Sequence, residues 1–379
     1  MNFDFADILL EVIGLNASDL HLTAGTHPMV REKGRLRPLE QFPVLTPQDT
    51  REIVYSILNN DQRKRLETDW QIDLSYSVPG KARFRVNAYF QRAAIGAVMR
   101  TIPQDIPAIE TLGVPPVLLE MARKPRGFVL VTGPTGSGKS TTLAAMIDRI
   151  NEERHEHIMT VEDPIEFLHR HKNCVVNQRE LGSDAHSFSD ALKAALRQDP
   201  DVILVGEMRD LETMGTALTA AETGHLVFAT LHTQDTSQTV DRIVDAFPEG
   251  QQGQVRVQLA MALQGIVTQQ LLPTSDGKGR VVACEVLVPT PAVRNLIREG
   301  KTHQIYSALQ TGGSHGMQTM DAALVDLVRR GKITREFAQK RSSTPEELVR
   351  LLGQTGLPGA AGGNGMPAMA NGGGMGAMS

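Results

Sequence analysis

The densest chemistry in the chain lies at Gly133-Pro134-Thr135-Gly136-Ser137-Gly138-Lys139-Ser140-Thr141. This run fits G-x-x-x-x-G-K-[ST], a spacing whose glycines let backbone N–H groups converge on phosphate oxygens without a Cβ in the way. The apolar run Phe128-Val129-Leu130-Val131 before it reads as a strand, and residues 140–154 after it read as a helix. That is the context such a loop requires. The helix N-terminus adds partial positive charge. Lys139 can reach β- and γ-phosphates, and the Ser140 hydroxyl can ligate Mg²⁺. Residues Gly133 to Thr141 are therefore the candidate nucleotide cradle, with ATP and Mg²⁺ as the implied ligands.

Three further apolar runs end in groups suited to that chemistry. In open α/β sheets, ligands sit at the carboxyl ends of strands. Residues 157–161 run into Glu162-Asp163-Pro164-Ile165-Glu166, and residues 201–205 into Gly206-Glu207-Met208-Arg209-Asp210. Residues 226–231 end at His232, with His225 just before them. Splitting a triphosphate needs an oxygen ligand for Mg²⁺ and a group that orients or deprotonates the attacking water. Glu207 suits the Mg²⁺ role, directly or through water. Glu166 is the first choice of base, because Glu162 and Asp163 sit tight against the strand end; Glu162 is the alternative. His225 and His232 are candidates for contact with γ-phosphate oxygens or with a neighbouring subunit. No His/Cys spacing suits zinc.

The elements that must position these groups follow from pattern. Beyond residue 115, short apolar runs alternate with helical stretches such as 140–154 and 187–197, which argues for an α/β fold with a mainly parallel sheet covered on both faces. Residues 1–102 mix patterns: Leu9, Leu10, Val12 and Ile13 suggest a helical stripe, and residues 82–90 alternate apolar and polar as a strand does. Arg83 and Arg85, two apart on that strand, face one side. Pro103 and Pro107 mark a linker over 103–114, leaving 115–352 as the second domain. Residues 353–379 are rich in Gly and Met and carry no charge, so a disordered tail is expected there.

Composition narrows the class. Of 379 residues, 41% are hydrophobic and 22% charged, as in an ordinary globular protein with enough apolar material for a core. A net charge of −4 is too balanced for a nucleic-acid binder held by bulk charge. Two cysteines, Cys174 and Cys284, cannot form a disulfide framework, which points to a cytoplasmic protein. The acidic N-terminus, with Asp4, Asp7 and Glu11, does not read as a signal peptide. No apolar run approaches membrane-spanning length.

Taken together, these motifs resemble the secretion-type ATPases that drive type II secretion and type IV pili. The phosphate loop, the acidic box 160–166, the strand running to Glu207, and the histidine box from Thr223-Gly224-His225 to Leu231-His232-Thr233 occur in that family's order. Within it, the pilus-retraction branch is the most similar. Ala17-Ser18-Asp19-Leu20-His21-Leu22, Asn177-Gln178-Arg179-Glu180, residues 206–213 and residues 221–225 match its signatures. Ala292-Val293-Arg294-Asn295-Leu296-Ile297-Arg298-Glu299 resembles the retraction signature, with Val293 where Ile is usual.

The resemblance implies a homo-hexameric ring in which a PAS-like N-terminal domain and a RecA-like ATPase domain hold ATP between them. It implies Glu166 as general base and Glu207 as the Walker B acid. It also implies phosphate-contacting arginines from the N-terminal domain, for which Arg83, Arg85 and Arg100 are the candidates. The 292–299 helix is expected to couple hydrolysis to pilin disassembly and twitching motility. The implied partner is an inner-membrane pilus platform protein, reached from the cytoplasmic face. An accessory paralogue of the retraction ATPases is the alternative. An extension or secretion ATPase fits less well, since those usually carry extra N-terminal domains and a four-cysteine metal module.

Overall fold

The structure is a computed structural model that describes residues 3–102 and 105–353. The expected disordered tail lies, from residue 354 on, outside the described residues. Gly353 itself closes the helix Pro345–Gly353.

The N-terminal sheet has six antiparallel strands: β1 (Asp19–Leu22), β2 (Met29–Glu32), β3 (Arg35–Pro38), β4 (Gln71–Val78), β5 (Ala82–Gln91) and β6 (Ala94–Ile102). Their order is β3-β2-β1-β6-β5-β4. Alternation in β5 buries Ala82, Phe84, Val86 and Ala88 on one face and leaves Arg83 and Arg85 on the other. Two helices, Phe5–Gly14 and Pro47–Ile57, close the apolar face. The first buries Phe5, Ile8, Leu9 and Val12, while Leu10 is 40% exposed. Of the expected stripe, Leu9, Val12 and the partly buried Ile13 pack on this core, and Leu10 alone points away. A helix turns 100° per residue, so Phe5, Ile8, Leu9 and Val12 at i, i+3, i+4 and i+7 share a face from which Leu10, at i+5, is turned away.

The second sheet has seven strands in the order β13-β12-β7-β11-β10-β8-β9. They are β7 (Gly127–Thr132), β8 (His157–Glu162), β9 (Val175–Glu180), β10 (Val202–Val205), β11 (Leu226–Leu231), β12 (Leu263–Pro273) and β13 (Arg280–Leu287). All pairs are parallel except the terminal β12–β13 hairpin. Every residue of β7 and β11 is buried, as expected for central strands with helices on both faces. Residues from Ile106 and Ile109 onward already pack on this core, ahead of β7.

The helix Lys139–Glu153 follows the phosphate loop and is largely buried. Its near-terminal Asn151, fully buried, accepts from the backbone N–H of Lys172 and Cys174 and donates to the Arg170 carbonyl.

Candidate active site

The phosphate loop leaves the carboxyl end of β7 between β11 and β12. Gly133 has φ of 134°, and a Cβ there would lie 2.3 Å from the Gln269 carbonyl oxygen and 2.8 Å from Ser137 Oγ. β12 therefore packs so closely on the loop that only glycine fits. Gly136 and Gly138 are also left-handed, with φ of 79° and 92°, and Gly138 opens the helix. The Ser137 hydroxyl is buried and finds no partner among the described residues. A buried hydroxyl without a partner inside a glycine cradle is a donor awaiting an acceptor. Lys139, also buried, donates from Nζ to the carbonyls of Gly133 at 2.8 Å and Pro134 at 3.2 Å. Burial lowers the pKa of its ammonium, an effect the nearby charges of Glu207 and Glu166 oppose.

The acidic wall comes from β8 and β10. Glu162 ends β8, and its Oε1 accepts from Thr160 Oγ1 at 2.7 Å and Gln178 Nε2 at 3.2 Å. It lines a cavity of about 30 Å³ with Ser140, Ala144, His169, Gly206 and Thr230, room for a water molecule. Burial pushes its carboxyl pKa up to about 7. Beyond the cis Asp163–Pro164 bond, Ile165 turns inward and Glu166 is exposed. Glu207 follows β10. Its Oε2 accepts from Arg209 Nη2 at 2.7 Å, and its Oε1 lies 3.2 Å from His232 Nε2. The Arg209 hydrogen bond, ahead of the charges around it, holds the Glu207 carboxyl below the usual range. A cleft of about 580 Å³ opens beside Pro134, Thr135 and Ser137, with Lys340, Arg341 and Ser342 on its far side.

The chain thus gathers residues 133–141, Glu162, Glu166, Glu207 and His232 at the carboxyl ends of β7, β8, β10 and β11. Four other candidates stand elsewhere. His225 precedes β11, and Leu226 pairs with Gly127 at the amino end of β7. Six strand residues at about 3.3 Å each put it roughly 20 Å from the phosphate loop. Its Nδ1 lies 2.9 Å from the Ala220 carbonyl oxygen. His225 therefore stands at the opposite end of the strands from the phosphate loop of this chain, away from the expected γ-phosphate contact. In a parallel sheet a residue before a strand lies at the amino edge, so the sequence already held this signal. Arg83 is bound to Glu180, and Arg100 to Asp19 at 2.9 Å. Arg85 is exposed and sits directly opposite Arg100 across β5 and β6.

Sequence reasoning gave no chemical role to Arg209, Gln178 or Glu180, although all three lay in quoted motifs. Arg294 also departs from expectation. Rather than presenting a charged face with Arg298, its guanidinium turns inward and donates to the carbonyls of Ala260, Met261 and Leu263. It thereby caps the C-terminus of the helix Glu249–Ala262.

Comparison with known proteins agrees with this architecture. The type IV pilus retraction ATPase PilT of Pseudomonas aeruginosa is 52% identical over 343 residues, covering 90% of this chain and 99% of that protein. A twitching motility protein of Neisseria gonorrhoeae is 53% identical, covering 85% of this chain and 86% of its own. A crystal structure of the pilus retraction motor PilT with bound ADP superposes with a TM-score of 0.87 at 52% identity, over 92% of this chain and 99% of that one. The family described as type II/IV secretion system protein matches residues 4–339, and the chain belongs to it.

Proposed function

We propose that this chain is a homo-hexameric motor ATPase that couples ATP hydrolysis to type IV pilus retraction. One observation carries the reading: Lys139 and the glycine cradle lie within electrostatic reach of Glu166 and Glu207, in a chain 52% identical to a retraction ATPase along nearly its whole length. The orphan Ser137 hydroxyl and the cleft beside it suit a bound nucleotide.

The residues take distinct roles. Backbone N–H groups of 133–141 and Lys139 bind the phosphates. The Ser140 hydroxyl and Glu207 would hold Mg²⁺, which neutralises charge on the phosphate oxygens when bound. Among the described residues no cluster of three His, Cys, Asp or Glu forms a metal cage. An ion bound mainly through phosphates needs only one or two protein oxygens. Glu166, exposed at the mouth, takes the proton of the attacking water as the terminal P–O bond breaks to give ADP and phosphate. His232 and Arg209 fix the Glu207 carboxylate. Arg85, exposed and unpaired among the described residues, is the arginine free to face a neighbouring subunit's nucleotide, whereas Arg100 opposite it would first have to release Asp19. No helix of the described residues is long and apolar enough to cross a membrane; the partner we propose, from the likeness to pilus retraction ATPases, is an inner-membrane pilus platform reached from its cytoplasmic side.

Phosphate release and fluorescent-ADP binding by wild type, Lys139→Ala and Glu166→Gln test this. Lys139→Ala should lose binding and turnover. Glu166→Gln should keep binding and lose turnover about 10²–10⁴-fold, the usual contribution of a general base. Equal, negligible rates in all three would remove the motor reading.

A further inference from the structure

Glu180 closes β9 with its side chain only 4% exposed, and its carboxylate serves both domains. Its Oε1 accepts from Ser75 Oγ of β4 at 2.6 Å. Its Oε2 accepts from Arg83 Nη2 of β5 at 2.5 Å, and also from the backbone N–H of Ile165 at 3.0 Å. Ile165 lies between Glu162 and Glu166. Arg83 is itself only 15% exposed and braced by Ser75 and Ser77. The post carrying Glu180 is rigid: its N–H donates to Asp184 Oδ2, and its carbonyl accepts from the amides of Ser183, Asp184 and Ala185. Two residues earlier, Gln178 holds the other parts of the same loop, donating to Glu162 Oε1 and the Phe167 carbonyl and accepting from the His169 N–H.

We infer that Glu180 and Arg83 form an interdomain latch that sets the position of the carboxylate loop 162–166. Because one carboxylate oxygen is shared by an N-terminal arginine and a loop amide, the loop's geometry depends on where the N-terminal sheet stands. When β4 and β5 move away, Glu180 is left as a buried charge without its cation. That arrangement is strongly unfavourable, so Glu180 must turn toward water and release Ile165. Arg83 and Glu180 are positioning residues; neither touches the reacting atoms. The consequence for turnover rests on the hydrolysis reading above, whereas the coupling of Arg83 to Ile165 does not.

Amide hydrogen exchange on the nucleotide-free full chain tests the coupling directly, and steady-state kinetics tests its consequence. Arg83→Ala, on the other domain, should speed exchange at Ile165 about 10-fold, the effect of losing a hydrogen bond to a charged group. It should lower kcat about 10-fold while KM for ATP stays within about 3-fold. Ser75→Ala, which removes one small hydroxyl, should act in the same direction but less. In the Arg83→Ala/Glu180→Ala pair the losses in kcat should not add. Unchanged exchange at Ile165 in Arg83→Ala would overturn the latch. So would additive losses with a raised KM, which would place Arg83 on the nucleotide instead. If wild type released no phosphate, the hydrolysis reading would fall while the exchange result still decided the latch.

Discussion

Glu162→Gln gives the clearest thermodynamic signature of this site. The carboxyl is raised from 4.5 to about 7 by burial. The unfolded chain therefore releases this proton near pH 4.5, and the folded protein keeps it until about pH 7. Between those values the folded state binds more protons, so stability falls as pH rises. A gap of this size corresponds to about 3 kcal/mol lost across the window. Glutamine cannot ionise, and its carbonyl still accepts from Thr160 and Gln178. Its new amide hydrogens lack a partner, at a cost of about 1 kcal/mol. The variant should be slightly less stable than wild type at pH 5 and about 2 kcal/mol more stable at pH 8. With roughly 2–4 °C per kcal/mol for a domain of this size, Tm at pH 8 should rise by about 6 °C. Differential scanning calorimetry from pH 5 to 8 measures this. Parallel curves for the two proteins would show that Glu162 is already ionised in the folded state and refute the argument. Phosphate release at pH 8 provides a second reading. Activity within a few-fold of wild type leaves Glu166 as the base, and a loss as deep as that of Glu166→Gln transfers the role to Glu162.

Two further substitutions probe the scaffold. Arg294→Ala frees three carbonyls at the end of the helix Glu249–Ala262 and should cost about 2 kcal/mol, seen as a lower Tm, with Arg294→Lys failing to restore it because an ammonium lacks the planar fork. An unchanged Tm together with lost twitching would return the 292–299 helix to a purely coupling role. Buried Glu285 accepts from the N–H of Thr236 at 2.8 Å and of Met320 at 3.3 Å, the first residues of two helices. Glu285→Ala should destabilise by about 3 kcal/mol in urea titration, because two helix N-termini lose one shared anion.

The phosphate loop was readable in full because strand, turn and helix are contiguous and each glycine has a local reason. The central strands were readable for the same cause: β7, β8, β10 and β11 are short apolar runs. β9 was not read as a strand, since Val175-Val176-Asn177-Gln178-Arg179-Glu180 is an edge strand whose polar residues face loop and domain rather than core. The pairing of Arg83 with Glu180 spans 97 positions, and no periodicity reports such a contact. Strand facing correctly put Arg83 and Arg85 on one side, but only packing shows that one is held in an interdomain contact and the other is free.

Asn151 bears on how such an engine could move. Its amide moors the tail of the phosphate helix to the chain entering β9 by three hydrogen bonds, while β12 presses on Gly133 at the head. Clamped at both tips, that helix cannot slide like a piston when nucleotide arrives. A helix held this way serves as a fixed base for the phosphate loop, and any stroke has to come from elements less tightly moored.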